Sequence, residues 1–163
     1  MKRKTIQSKP ADKSPMDAAL AYLTDRMRTV REVEDKLDDL QYGEGDIVST
    51  VERLKELNLL NDEAYAREFV RSRLATKPVS RQKLYMDLKA HHVPEEYIKT
   101  VLDELPRETE ADNAREVAEK FWRQLSGLEK SVRRERVLRR LMSRGFSTEA
   151  SLAAIRDVEE EES

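Results

Sequence analysis

The chain has 163 residues, enough for one domain or a few small repeats with a real core. Charged residues make up 39% and aromatics 6%, with few Gly and Pro and a net charge of −2, the profile of long solvent-washed helices rather than of a sheet protein. Cysteine is absent and only His91 and His92 represent histidine, which excludes a disulfide framework, a thiolate zinc site and a cysteine nucleophile, and leaves little for a histidine metal site.

No apolar run approaches the roughly 20 residues of a membrane span, and MKRKTIQSKP has basic residues but no hydrophobic h-region. The expectation is a soluble, cytoplasmic, monomeric, non-enzymatic protein that needs no cofactor. Net charge is segregated: +4 over residues 1–15, −6 over 16–62, +1 over 63–106, +3 over 107–158 and −4 over Glu159 to Glu162. A charged partner meets the two ends of such a molecule differently.

Apolar spacings of three and four predict helices throughout. A flexible basic tail over residues 1–15 leads into a helix near 16–27, begun by Ala19, Leu20 and Leu23. Thr29 followed by Glu32 is a capping-box pattern for a second helix near 30–41, carried by Val33, Leu37 and Leu40. The Tyr42-Gly43-Glu44-Gly45 break precedes a third near 46–58. In NLLNDEAYAREFVRSRL, from Asn58 to Leu74, Asn61 suits an N-cap, with Asp62 and Glu63 at the positive end of the dipole. Leu60 and Tyr65 would then be a hydrophobic staple. This acidic cluster reads as a cap, not a catalytic pair, and opens a helix near 61–76. Ser80 and Pro94 start helices near 80–91 and 94–104; three more follow near 108–125, 130–143 and 147–159, the last begun by Ser147.

The arrangement repeats. Val33, Leu37, Tyr42, Val51 and Leu54 match Leu84, Leu88, Val93, Leu102 and Leu105 after a shift of 51 residues. A further 53 residues brings Val137, Leu141, Phe146, Ile155 and Val158. Internal spacings are identical in all three sets. Gly145 suits a left-handed residue between helices, and His92 holds the equivalent place less comfortably. The predicted fold is therefore all-α: three-helix repeats over 16–60, 61–106 and 107–159, stacked into an elongated, curved molecule, with an acidic tail over 160–163.

Leu59, Leu60, Asn61, Asp62, Tyr65, Ala66, Phe69, Val70 and Arg73 in the middle unit resemble the RecX family of bacterial RecA regulators. LRRLMSRGFS (Leu138 to Ser147) resembles the ending of the family's third unit, and ALAYLTDRMRTVREVEDKL its opening helix pair, with Thr29 where a capping Ser is usual. The resemblance covers roughly residues 16–158; it departs at Thr76-Lys77-Pro78 and His92, where glycines are frequent. It implies a non-enzymatic protein that binds RecA filaments on single-stranded DNA and restrains recombination, ATP hydrolysis and co-protease activity.

A filament binder needs cations outside its core. The first candidates are Arg133, Arg134, Arg136, Arg139, Arg140 and Arg144, with Arg136 and Arg139 expected to lie outward. The second set is Arg67, Arg71, Arg73, Lys77, Arg81 and Lys83. Either set could equally be a solvated helix face. Trp122 could stack on a base, but its spacing with Val117, Ala118 and Leu125 favours the core. His91 and His92 read as loop residues, and Glu159–Glu162 as a frayed end. Rival readings are a helix-turn-helix DNA binder, disfavoured by the acidic first unit, and a helical protein adaptor. No Gly-rich phosphate loop, triad or metal-ligand cluster supports an enzyme.

Overall fold

A computed structural model describes residues 13–106 and 108–163; the basic stretch expected over residues 1–15 lies, apart from its last three residues, outside them. Among the described residues the chain forms helices and no strand. The helices are α1 (Pro15–Leu23), α2 (Val30–Asp39) and α3 (Glu44–Glu56), then α4 (Asp62–Thr76), α5 (Arg81–Ala90) and α6 (Glu95–Asp103), then α7 (Glu108–Gln124), α8 (Lys130–Ser143) and α9 (Thr148–Glu162).

Local capping sets most of these boundaries. The Thr29 hydroxyl accepts the Glu32 N–H while the Glu32 carboxylate accepts the Thr29 N–H, closing the expected capping box. The Asn61, Ser80 and Ser147 side chains cap α4, α5 and α9 by accepting the N–H groups of Ala64, Lys83 and Ala150, without a reciprocal box. Pro94 is the N-cap residue of α6 rather than a first-turn residue. Two helices depart from expectation. Helix α1 stops at Leu23, not near residue 27, because Thr29 as an N-cap takes an extended backbone that the chain must reach first. Helix α9 runs on through the acidic run expected as a frayed tail; its last carboxylates are held by arginines of α7 and α8.

Each group of three helices closes its own core. The first gathers Val33, Leu37, Tyr42, Val51 and Leu54, the second Leu84, Leu88, Val93, Ile98 and Leu102, the third Val117, Trp122, Val137, Leu141, Phe146 and Ile155. The equivalent positions of the repeat thus fall inside, apart from Leu105, which is half-buried at the margin. Leu60 joins the first core and Tyr65 the second, so the two do not form the expected staple but serve neighbouring repeats.

Neighbouring repeats are joined by the same device twice. Thr29 donates its hydroxyl to the His91 carbonyl at 2.9 Å, and fifty-odd residues later the Ser80 N–H donates to the Arg144 carbonyl at 3.3 Å. In each case the N-cap of one repeat's second helix meets the end of the next repeat's second helix. The Asp62 carboxylate also accepts the Val30 N–H at 2.9 Å, while burial raises its pKa above the ordinary carboxylate value. His91 Nδ1 lies 2.8 Å from Glu32. With cores in series and narrow polar junctions between them, the molecule is elongated.

Residues Gln41, His92 and Gly145 end the second helix of the three repeats, with φ of 67°, 61° and 88°. Only the third requires glycine for space: a Cβ there would lie 2.4 Å from Ser80 Oγ and 2.9 Å from Lys83 Cβ.

Candidate partner-binding surface

The arginines of α8 and of its C-cap, Arg144, differ in what holds them. Arg133 is only 5% exposed and serves the fold. Its guanidinium lies 4.0 Å from the centre of the Trp122 ring, its Nε donates to the Trp122 carbonyl at 2.8 Å, and Nη1 pairs with Glu162 at 2.8 Å. An Arg133 reaching a partner, as the sequence suggested, is therefore corrected: desolvated beside an indole and a carboxylate, it closes the third repeat. Trp122 is buried as its spacing predicted, and its Nε1 also donates to Glu162. Those two hydrogen bonds, Arg133 first, hold the Glu162 carboxyl below its ordinary pKa.

Arg134 pairs with Glu159 across the α8–α9 seam, and Arg139 with Glu135 along α8. Both remain exposed to solvent. Arg136 is exposed and, among the described residues, has no ion-pair partner. Arg140 and Arg144 both lie over Phe121, at 5.0 and 5.3 Å from its centre. Arg144 is half-buried, which lowers its pKa, and its Nη1 reaches the Pro78 carbonyl at 3.5 Å. The end of α8 therefore abuts the 77–80 loop of the middle repeat, bringing the backbone of Lys77 to the same junction.

In the middle repeat, two candidates are structural clamps. Arg81 donates to the carbonyls of Leu102, Leu105 and Pro106 at 2.6, 2.6 and 3.0 Å, satisfying the end of α6. Arg67 grips Glu104 through two hydrogen bonds and Glu63 through another, which makes its proton harder to remove. Arg71 pairs with Glu68 but is widely exposed; Arg73 lies 3.9 Å from Asp87 and 5.0 Å from the centre of the Phe69 ring. Lys77 is exposed, and Lys83 pairs with Asp87 at 2.8 Å.

The exposed cations are Arg134, Arg136, Arg139 and Arg140 on α8, with Arg71 and Lys77 around the end of α4 and Arg73 partly exposed beside them. His91, expected as an idle loop residue, instead touches Tyr65 and Phe69 and bonds to the first repeat. No local signal reveals that role, because its partners Thr29 and Glu32 are about sixty residues away. Among the described residues no cluster of His, Asp and Glu could hold a metal ion, and no helix is long and apolar enough to cross a membrane.

This arrangement defines an all-α helical-repeat protein: three closed cores in series, joined through polar junctions. Family models place it more closely. Models for the first, second and third three-helix domains of RecX match residues 16–54, 61–102 and 108–155. The chain belongs to the RecX family. It is 32% identical to a regulatory protein RecX of Prosthecochloris aestuarii over 134 residues, covering 82% of this chain and 86% of that one. A regulatory protein RecX of Streptomyces lividans is 29% identical over 143 residues, covering 88% and 76%. The crystal structure of RecX from Lactobacillus salivarius superposes with a TM-score of 0.79 at 26% identity, covering 89% of this chain and 94% of that one.

Proposed function

We propose that this protein is a non-catalytic cytoplasmic regulator of the RecA recombinase, binding the RecA filament on single-stranded DNA as a monomer and inhibiting its recombinase, ATPase and co-protease activities. The observation that carries this reading is the match of all three RecX domains, in order, along the chain. The geometry supports it, since repeats in series present an extended face to a repeating partner. In this reading the units 16–60, 61–106 and 107–159 each supply a stretch of contact. Affinity comes from many modest polar contacts made by exposed arginines, whose planar guanidinium groups suit carboxylates and phosphates alike. Arg136, Arg139, Arg140, Arg71, Arg73 and Lys77 carry that contact, whereas Arg133, Arg67 and Arg81 hold the repeats that present them.

The test is ATP hydrolysis by purified RecA on single-stranded DNA, titrated with this protein at fixed salt. A fall in hydrolysis at well below one protein per RecA is expected. The double charge reversal Arg136→Glu, Arg139→Glu should weaken that inhibition and leave the unfolding transition in place. No inhibition at large excess sinks the reading; full inhibition by the double variant moves the contact off α8.

A further inference from the structure

A cleft of about 580 Å³ opens where the connection between α1 and α2 faces α4 and the end of α5. One wall is aromatic. Tyr65, Phe69 and His91 pack together with ring centres 5.4 to 6.2 Å apart, and Arg73 stands 5.0 Å over Phe69. The rim is cationic, with Arg26, Arg71 and Arg73 against Glu68 in the lining, while Asp87 and Glu32 stand beside Arg73 and His91 at 3.9 and 2.8 Å. Arg26 is exposed and has no ion-pair partner among the described residues; Arg71 is held only by Glu68 on its own exposed helix face. The Tyr65 hydroxyl makes no hydrogen bond among the described residues, and burial pushes its pKa up to about 12, so it stays a neutral donor across the physiological range.

We propose that this cleft binds one nucleotide of single-stranded nucleic acid. Its volume lies within the range of small-molecule sites, roughly 300–1,000 Å³, and admits a base with its sugar. An unpaired base stacks on the Arg73 guanidinium where it lies over Phe69, extending the aromatic wall, and receives the Tyr65 hydroxyl at its edge. Arg26 and Arg71 take the flanking phosphates. Stacking needs an unpaired base, so the site selects single strands over duplex. An acidic peptide would use the arginines but has no need of three adjoining rings, which is why nucleic acid is the better fit.

The inference deepens the filament reading by giving the filament's DNA its own site, and it is tested without RecA so that the two can fail separately. The probe is a fluorescein-labelled oligothymidylate followed by anisotropy at low and moderate salt. Arg26→Glu and Phe69→Leu should each weaken binding about tenfold, the size expected for losing one stacked base or its phosphate contact. Arg53→Glu, an exposed arginine on α3 paired with Glu56, should leave it unchanged. A loss with Arg26→Glu but not with Phe69→Leu would reduce the site to a charged patch and overturn it. Displacement of the oligonucleotide by poly-glutamate as readily as by unlabelled oligothymidylate would overturn it in favour of an acidic protein segment. Absence of oligonucleotide binding at low salt also refutes it. Should Phe69→Leu fail to fold, photocrosslinking of 4-thiothymidine oligonucleotide to the wild-type chain decides: adducts on Phe69 or Tyr65 support the site, and adducts confined to other repeats refute it.

Discussion

Replacing Gly145 by Ala tests the junction between the second and third repeats with a single methyl group. Two costs combine. The residue sits at φ 88°, in the left-handed region where a Cβ costs roughly 1–2 kcal/mol. The added Cβ would also fall 2.4 Å from the hydroxyl oxygen of Ser80, which is fully buried and caps α5 by accepting the Lys83 N–H at 3.0 Å. Ser80 can move only by surrendering that cap, worth about 1 kcal/mol, or by shifting α5 against a packed core, at about 1–3 kcal/mol. The expected loss is therefore about 2–5 kcal/mol, less if the third repeat tilts away from the second and gives up the Ser80–Arg144 hydrogen bond. Urea unfolding followed by Trp122 fluorescence reads this directly, because the chain's single tryptophan is buried in the third core. Gly127→Ala is the control: nothing lies within 4 Å of its Cβ position, and its φ is ordinary. A Gly145→Ala midpoint indistinguishable from that of Gly127→Ala would show that the repeats do not meet at Ser80, and would refute the junction as described.

Thr29→Val keeps the shape of a fully buried residue but removes both the cap on α2 and the hydroxyl donated to the His91 carbonyl, so about 2–3 kcal/mol of stability should disappear in chemical denaturation. A loss under about 0.5 kcal/mol would mean water replaces both bonds. Leu88→Ala, in the middle core at 0% exposure, should cost about 2–5 kcal/mol, and an unmoved midpoint would contradict the repeat register. Acid should loosen the end of α9. The Glu162 pKa in the folded chain lies below its ordinary 4.5, so its contribution is present above that value and disappears as pH falls through the lowered one. Trp122 fluorescence titrated from pH 6 downward should therefore change below about pH 4.5 in wild type. Glu162→Gln should lack that step, and an identical titration in both proteins would reject the link.

How much was legible depends on the reach of each interaction. Capping and periodicity act over three or four residues, so Thr29 with Glu32, Asn61, Ser80 and Ser147 could be read directly. The buried positions of three repeats followed from the same arithmetic, as did the burial of Trp122. Family membership was legible for that reason too, because the motif residues mostly encode caps and core. The fate of the arginines was not. Six arginines crowd the α8 region with nearly the same local context, yet Arg133 is buried beneath Trp122 and Glu162 while Arg136 stands in solvent. That difference is set by a carboxylate 29 residues away. Arg81, Arg67 and His91 were likewise decided by partners 21 to 62 residues distant, which leave no periodic trace in sequence.

The sequence by itself therefore determined the class, the helices, the three cores and their order, since each follows from contacts within a turn or two of helix. Only the tertiary structure decided which cations are available to a partner, how one repeat's N-cap receives the next repeat, and that an aromatic wall and a cationic rim meet in one cleft. The reason is physical: a charged side chain is free or spent according to the nearest carboxylate or carbonyl in space, and that neighbour is chosen by the fold.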